Sequence, residues 1–446
     1  MKKVSKNITL KPLKKSHINQ NYLNWFNDKS IKKYITYSPK NLNELKKDVN
    51  KNLREKKTLM LGIFNRSKHI GNLKIHNINY KNFSASIGIL IGDKNSRGKG
   101  YGKYVINLTK KILLKKKIYI IELGVHKSNK AAFNLYKACN FEIVKFTKSY
   151  YIMECKNFHN KMILGTAQFR SKYGVTNKDR DIMSSSEIKK IMTYLDQKSQ
   201  INEIDTATNY NLSKTDLNSV KKTFFLNNKI HTDQNISYLT LKKYFKKNKN
   251  YSTNTLFIHD GNNVLSKKGI RLLSKIKKLK KDKVINKIGL SIHNVQHLKN
   301  ILKKISVDVV QLPYNFVDRR AEIFFPIMKK KKIEIQVRSI FLQGSLLTKI
   351  KTNKKLSKIF EEFNKISEKN NIKKIQFALS FVLRNKFIDK IIFGVRNYKE
   401  FMQLNSVDKL NFDLSQLDKL KSNDEEIINP LKWKELILEK KKKINS

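Results

Sequence analysis

The residue pattern changes at a short polar stretch, residues 153–161 (MECKNFHNK), roughly a third of the way along the chain. Before this stretch, apolar residues recur as they do in β-strands, and after it short apolar runs alternate with segments of helical periodicity. The stretch has no apolar face of its own, which is typical of a tether between two hydrophobic cores. We therefore expect two domains, residues 1–155 and residues 161–446.

The second region carries a regular strand–helix repeat. The helical segments place apolar residues three or four positions apart, as at Ile270, Leu273 and Ile276. Eight β–α repeats in one continuous stretch predict a parallel (β/α)8 TIM barrel, with its chemistry at the carboxyl ends of the strands. The predicted strands begin at Met162, Glu203, Lys229, Thr255, Lys287, Asp308, Glu334 and Lys390.

Composition limits the class of protein. Hydrophobic residues make up 39% of the 446 residues, which is enough to fill two cores. The two cysteines, Cys139 and Cys155, are too few for a disulfide framework or a zinc cluster, so we expect no metal site. No stretch reaches the roughly 18 uncharged apolar residues of a membrane span, and no apolar leader follows Met1. These features predict a cytoplasmic protein without a membrane span.

The charge balance is strongly basic. The chain has 95 Lys and Arg against 35 Asp and Glu, a formal net charge of +60. Such an excess can indicate a nucleic-acid or scaffold protein. However, the lysines are spread along the entire chain among many Asn and Ile residues, as a compositional bias of the coding sequence would produce. We therefore expect a small-molecule substrate and no nucleic-acid partner, and the basic binding protein remains the alternative.

A glycine-rich turn is the most informative motif of the first region. Three predicted strands, residues 59–64, 69–75 and 85–92, form an antiparallel meander, and residues 97–102 (RGKGYG) follow directly and open a helix. Glycines let main-chain N–H groups approach an anion, which the dipole of the helix also favours. The turn therefore predicts a pyrophosphate-binding site, with Arg97 as a fixed cation at its edge.

The turn and the predicted helix at residues 129–142 together resemble the GNAT acyl-CoA-dependent N-acetyltransferases, and this resemblance covers nearly the whole first domain. It implies a GNAT-like mixed α+β fold and acetyl-CoA as cofactor. Asn140 stands where the family usually has glycine, but asparagine tolerates the left-handed conformation of such a turn. By resemblance, the residues that hold the cofactor are Ile89, Ile91, Arg97, Gly98, Gly100, Gly102 and Asn129.

The same resemblance assigns the transfer chemistry. It implies that Tyr136 is the acid that protonates the leaving thiolate, a role that suits a phenol because its pKa lies near that of a thiol. The base that accepts the proton of the amine stays open among Glu122, His69, His126 and a chain of water molecules. The segments HIGN at 69–72 and ILIGDK at 89–94 together resemble the branch that acetylates amino sugars on nucleotide carriers, and the alternative substrate is a protein N-terminus or a small amine.

The predicted strand ends of the second region resemble the aldo-keto reductases, which implies a barrel of that type with NADP(H) or NAD(H) as cofactor. The motifs are LGTAQF at 164–169, DTATNY at 205–210, LFIHD at 256–260, GLS at 289–291, QLPYN at 311–315 and VRSIFLQG at 337–344. By resemblance, Tyr210 donates the proton to a reduced carbonyl, Asp205 orients the network and His259 holds the substrate oxygen. The nicotinamide carboxamide contacts Ser291 and Gln311, and the adenosine phosphate lies near Arg396 and Asn397.

One position departs from the reductase pattern. The family has a lysine at the end of the third strand that lowers the pKa of the tyrosine, and the predicted strand beginning at Lys229 puts Asp233 in that place. Lys229 cannot easily substitute, since four strand residues span roughly 13 Å. The barrel is then a weakened or inactive reductase, a working one with another basic group, or one retuned to a different reaction.

Taken together, the sequence predicts a bifunctional enzyme, an N-acetyltransferase fused to a carbonyl reductase-like barrel, that makes a modified sugar for a surface glycan. Two alternatives remain. One is a protein or small-amine acetyltransferase with a non-catalytic barrel, and the other is the basic binding or scaffold protein.

Overall fold

The chain divides into two compact units, Met1–Phe158 and His159–Ser446. The structure is a computed structural model, in which no helix of the described residues is long and apolar enough to cross a membrane. The described residues are 7–35, 37–171, 173–174, 182–197, 199–210, 216–217, 221, 223–246, 251–347, 354–407, 413–430 and 432–433.

The first unit is built on a seven-stranded mixed sheet with strand order β1-β2-β3-β4-β5-β7-β6. The strands β2, β3 and β4 form the predicted antiparallel meander, and β1 pairs antiparallel with β2. The strands β4 and β5 run parallel, and β5, β7 and β6 are antiparallel again. Its elements are β1 (Ile8–Pro12), α1 (Gln20–Asn27), α2 (Lys29–Lys32), α3 (Leu42–Arg54), β2 (Leu59–Asn65), β3 (Lys68–Asn79), β4 (Ser84–Ile91), α4 (Tyr101–Lys115), β5 (Ile120–His126), α5 (Lys130–Lys137), β6 (Glu142–Phe146) and β7 (Tyr150–Lys156).

Helices pack on both faces of this sheet, because successive side chains of a strand point to opposite sides. In β5, Ile121, Leu123 and Val125 are buried in one hydrophobic cluster with residues of α4 and α5. The second cluster contains residues of α1 and α3, among them Trp25 and Leu45. This is the GNAT-like α/β architecture that the sequence predicts.

The second unit is a closed barrel of eight parallel strands, which confirms the predicted (β/α)8 fold. The strand order around the barrel is β10-β11-β12-β13-β14-β15-β8-β9. Its elements are β8 (Met162–Gly165), α6 (Ser185–Gln197), β9 (Glu203–Asp205), β10 (Phe224–Ile230), α7 (Tyr238–Tyr244), β11 (Tyr251–Ile258), α8 (Lys267–Lys281), β12 (Lys287–Ser291), α9 (Leu298–Lys304), β13 (Val309–Pro313), α10 (Phe325–Lys330), β14 (Glu334–Arg338), α11 (Lys354–Lys369), α12 (Lys374–Arg384), β15 (Lys390–Gly394), α13 (Tyr398–Asn405) and α14 (Glu425–Ile428).

The third barrel strand differs from the prediction in a way that matters for the site. β10 begins at Phe224 and ends at Ile230, so Lys229 is its penultimate residue. The prediction that a strand begins at Lys229 is wrong. The next strand, β11, also begins earlier than predicted, at Tyr251.

Candidate active sites

A gap in the sheet of the first unit marks the expected acyl-CoA site. β4 and β5 pair only from Ser84 to Ser86 and from Ile120 to Glu122. Beyond that point β4 pairs with β3 alone and β5 pairs with β7 alone. The main chain around Ile89 and Ile91 therefore has no strand partner on its β5 side. An extended ligand with amide groups can pair with such an edge.

The glycine-rich turn lies directly after β4 and opens α4. Gly98 and Gly100 have φ of 72° and 78°, in the left-handed region that favours glycine, and Gly100 is the N-cap residue of the helix. No amide group of residues 98–103, Gly102 included, donates to an acceptor among the described residues. Several free N–H groups at the N-terminus of a 15-residue helix form a site suited to a diphosphate. The turn thus fits the pyrophosphate of acetyl-CoA.

The side chain of Arg97 does not serve as the free cation that the sequence suggests. Its Nε donates to the main-chain oxygen of Ile91 at 2.9 Å, and its Nη2 donates to that of Gly92 at 2.5 Å. Its Nη1 binds Asp28 Oδ2 and Ser30 Oγ, both at 2.9 Å. Arg97 therefore ties the junction of α1 and α2 to the end of β4. The Asp28 carboxylate compensates its charge, so only its main chain remains available to a cofactor.

Asn129 is the N-cap residue of α5, and Tyr136 lies in the last turn of this helix. Asn129 caps this helix, since its side-chain oxygen accepts a hydrogen bond from Ala132 N at 3.1 Å. Tyr136 is 7% exposed, and its ring packs against Phe141 at 5.9 Å between centroids. Burial, with a smaller contribution from Cys139, raises the pKa of Tyr136 to about 12. The phenol therefore keeps its proton at neutral pH, as an acid must.

The three candidate bases have very different surroundings. His69 stacks on Phe64 and contacts Asn72 Oδ1 at 3.0 Å, and burial lowers its pKa. The Nδ1 of His126 lies 2.8 Å from Ser128 Oγ. Glu122 is exposed, and it belongs to the last residue pair before β4 and β5 separate. The geometry favours Glu122, because this carboxylate stands where the gap begins.

At the carboxyl end of the barrel strands, Lys229 and Asp205 form a buried ion pair. Each residue is 3% exposed, and Lys229 Nζ donates to Asp205 Oδ1. The same ammonium lies 5.7 Å from the centroid of the Tyr210 ring. Burial lowers the pKa of Lys229, and its pairing with Asp205 opposes that shift. A lysine therefore does stand beside the proposed proton donor.

The prediction that Asp233 takes the place of this lysine is wrong. Because β10 ends at Ile230, Asp233 falls in an exposed turn beyond the strand. The expected distance of roughly 13 Å between Lys229 and the end of its strand would apply only if the strand continued to residue 233. With the observed strand, Lys229 is at its carboxyl end. Asp205, Tyr210, Lys229 and His259, called the tetrad below, are thus all at this end of the barrel.

The pKa values of Tyr210 and His259 are both shifted from their usual values. Burial, with smaller contributions from Asp205 and Tyr173, raises the pKa of Tyr210, and Arg338 partly opposes this shift. The ring of His259 lies 5.8 Å from that of Tyr210. Burial, followed by the charge of Lys229, lowers the pKa of His259 to about 2. His259 is therefore neutral at physiological pH, and a neutral imidazole carries one N–H to donate to a substrate oxygen.

Gln311 does more than the sequence suggests. Its Nε2 donates to Asp205 Oδ2 at 2.8 Å, so it holds the second oxygen of the carboxylate that binds Lys229. Its Oε1 is buried and finds no hydrogen-bond donor among the described residues. Ser291 pairs with Gln311 in the β12–β13 ladder and is also buried. The unpaired Oε1 fits the N–H2 group of a nicotinamide carboxamide, while Nε2 stays on Asp205.

A cavity of about 210 Å³ leads away from the tetrad. Asp205, Tyr210 and Lys229 line one part of it, and Arg396 and Glu400 line another. Arg396 is paired with Glu400, to which its Nε donates at 2.6 Å. Asn397 caps α13 by accepting a hydrogen bond from Glu400 N at 2.8 Å. A phosphate at Arg396 would therefore share this guanidinium with a carboxylate.

Four residues near the tetrad were missed or misread from the sequence. The sequence predicts a strand that begins at Lys229, and it assigns no role to Arg338. His231 and His293 were not considered, although each follows directly or closely on a barrel strand. Their rings lie 4.2 and 6.5 Å from that of His259, respectively. The position after a barrel strand is itself a signal for such residues.

Comparison with protein families decides the classification of the chain. Residues 161–425, more than half of the sequence, match the aldo/keto reductase family. The chain belongs to the aldo/keto reductase family. It is a member with an additional N-terminal domain, because residues 7–142 match the acetyltransferase (GNAT) domain. No curated protein matches this aldo/keto reductase family member significantly.

Among the solved structures similar to this family member are acetyltransferases that match 34% of the chain. A spermidine N-acetyltransferase from Vibrio cholerae, in complex with CoA and spermine, is 23% identical with a TM-score of 0.31, over 34% of this chain and 98% of the other. RimL, a ribosomal L7/L12 alpha-N-protein acetyltransferase, is 18% identical with a TM-score of 0.32, over 34% of this chain and 92% of its own.

Proposed function

We propose that the chain is a bifunctional enzyme that transfers an acetyl group from acetyl-CoA to an amine and reduces a carbonyl compound with NADPH or NADH. The buried Lys229–Asp205 pair beside Tyr210 is the observation that carries the reductase half. Lys229 provides the ammonium group that the sequence prediction had replaced with Asp233. A reductase without this cation would be weaker. The free amide groups of residues 98–103, next to the gap between β4 and β5, support the transferase half.

In the barrel, the hydride comes from the bound nicotinamide cofactor, and the residues of the chain handle the proton. Tyr210 donates its phenolic proton to the carbonyl oxygen as negative charge develops there. The Lys229 ammonium stabilises the resulting phenolate, since the two groups meet in a site shielded from water. Asp205 holds Lys229, and Gln311 holds Asp205. Neutral His259 donates a hydrogen bond to the same carbonyl oxygen.

In the first unit, Glu122 accepts the proton of the attacking amine, directly or through water. The amine attacks the thioester carbonyl, and the bond between carbon and sulfur then breaks. Tyr136 gives its proton to the departing thiolate. Free amide groups at the start of α4 hold the diphosphate, and the open edge of β4 pairs with the extended arm of the acyl donor.

Replacing Tyr136 with Phe should lower the rate of acetyl transfer by about 100-fold, at the lower end for a lost general acid. A thiolate is a weak enough base to leave partly unaided, which limits the loss. Because the pKa of Tyr136 is raised to about 12, wild-type activity should show no decline below about pH 10 from loss of this proton. The measurement is CoA release against pH. A variant with wild-type rates would remove Tyr136 from the mechanism.

Replacing Glu122 with Gln should slow acetyl transfer by roughly 100-fold near pH 7, because the amide accepts no proton. The loss should shrink as the pH approaches the pKa of the amine, where the substrate arrives already deprotonated. His69→Asn and His126→Asn serve as matched comparisons. If either of these histidine variants loses more activity than Glu122→Gln at equal stability, the assignment of the base is wrong.

For the acceptor we propose an amino sugar, free or on a nucleotide carrier, that serves surface glycan synthesis. The alternative acceptors are a protein N-terminus and a small amine such as a polyamine. CoA release with amino-sugar nucleotides, N-terminal peptides and spermidine under one set of conditions separates these classes. Turnover of the peptide or the polyamine without turnover of any amino sugar would reject the proposed substrate.

A further inference from the structure

Arg338 is a cation of the cavity that has no carboxylate partner among the described residues. It ends β14 and lines the cavity together with Asp205, Tyr210 and Lys229. Its Nη2 donates to the main-chain oxygen of Ile292 at 3.3 Å and lies 3.0 Å from His293 Nδ1. These neutral acceptors leave the charge of the guanidinium uncompensated.

The lysine beside Arg338 already has an ion-pair partner, whereas Arg338 has none among the described residues. Lys229 is paired with Asp205. His259 is neutral, and the pKa of His293 is lowered, first by Arg338 and then by burial. The carboxylate of Asp260 accepts hydrogen bonds from Thr232 and Asn263 and lies 3.8 Å from His231 Nδ1, and it forms no ion pair with Arg338. Among the described residues, Arg338 is therefore a cation without an ion-pair partner, and it lines the same cavity as the proton donor.

We propose that Arg338 binds an anionic group, a carboxylate or a phosphate, of the carbonyl substrate. A guanidinium presents parallel N–H donors that match the paired oxygens of such groups. A partly buried cation without a counter-ion is costly, and a substrate anion would remove that cost. The inference rests on the proposed reductase function, and it adds the chemical class of the substrate.

The position of Arg338 supports a role toward the substrate. Its contacts with Ile292 and His293 direct the guanidinium over the end of β12, and His293 leads through ring contacts to His259 and then to Tyr210. The other cavity arginine, Arg396, is at the β15 and α13 side and has Glu400 as its partner. The anion would thus be held on the side of the hydrogen-bonding histidine.

The test compares three para-substituted benzaldehydes, using the whole chain with saturating NADPH. They are 4-carboxybenzaldehyde, 4-formylphenyl phosphate and the uncharged methyl 4-formylbenzoate. The wild type should show a KM for at least one of the two anions that is about 10- to 100-fold below that of the ester. The anion with the lower KM shows whether the site prefers a carboxylate or a phosphate.

Arg338→Gln should abolish this difference by raising the KM of the anions, whereas the KM of the ester should change by less than about threefold. Arg338→Lys should keep part of the preference for anions that Arg338→Gln loses. Lysine keeps the positive charge but lacks the parallel N–H donors of the guanidinium. Lys299→Gln, an exposed lysine of α9, is the control for loss of one positive charge. KM values of both anions equal to that of the ester in the wild type, or an equal effect of Arg338→Gln on the anions and the ester, would overturn the inference. So would a matching loss of NADPH affinity, which would assign Arg338 to the cofactor.

A calorimetric titration with terephthalate separates failure of the inference from failure of the proposed function. If no aldehyde is reduced, the reductase proposal fails, and binding decides the anion site alone. Terephthalate binding that is strong in the wild type and at least about tenfold weaker in Arg338→Gln would support the site. Equal or absent binding in both proteins would reject it.

Discussion

Replacing Tyr210 with Phe should lower NAD(P)H-dependent carbonyl reduction by about 10²- to 10⁴-fold, the range for loss of a positioned general acid. The expected loss exceeds that at Tyr136, because a forming alkoxide is a far stronger base than a thiolate and needs its proton. The phenyl ring keeps the packing against His259, so the barrel should fold as before. Single-turnover oxidation of NADPH with an accepted aldehyde measures the effect.

Asp233→Asn is the matched control for this experiment. Asp233 lies in an exposed turn after β10, so its variant should reduce the same aldehyde at the wild-type rate. If Asp233→Asn loses activity, or if Tyr210→Phe keeps more than about a tenth of it, the tetrad does not carry the proton transfer.

Replacing Lys229 with Met should destabilise the barrel by about 3–5 kcal/mol, the usual cost of leaving one member of a buried ion pair alone. Asp205 is 3% exposed and would keep its charge without the ammonium. The double variant Asp205→Asn/Lys229→Met leaves neither charge in the barrel, so it should recover most of this loss. Thermal unfolding of the wild type and both variants gives the comparison.

Activity gives a second readout for the same pair. Both Lys229 variants should be inactive as reductases, since neither can stabilise the Tyr210 phenolate. A double variant as unstable as the single one would show that the ion pair is not the source of the instability. A single variant with normal stability would mean that Asp205 finds another partner or becomes protonated.

The misplacement of Lys229 has a physical cause. Hydrophobic periodicity identifies strands by their apolar residues, but the carboxyl half of β10 contains the buried polar residues Asn227, Asn228 and Lys229. These polar residues interrupt the apolar pattern of the strand. Its start was therefore predicted at Lys229 and not at Phe224. The other strand ends carried apolar runs up to their functional residues, so Asp205 and His259 were placed correctly at the carboxyl ends of β9 and directly after β11.

Backbone features of the first unit were predictable, because they are written in local sequence. Gly98, Gly100 and Asn140 all have the left-handed φ expected of them, with 61° for Asn140. The side-chain partners of Arg97 were not predictable. Asp28 lies 69 positions away in the chain, and only the folded sheet brings the two together. The same holds for Gln311 and Asp205, which are 106 positions apart.

The gap between β4 and β5 makes the free energy of unfolding of the first unit depend on the concentration of the acetyl donor. The open edge of β4 is solvated in the free protein, and an acetyl donor that fills it binds only the native chain. By mass action, each tenfold rise in donor concentration above its dissociation constant adds about 1.4 kcal/mol to the resistance against unfolding. The first unit should therefore unfold more readily in a cell with little acetyl donor than in a cell with a high concentration of it.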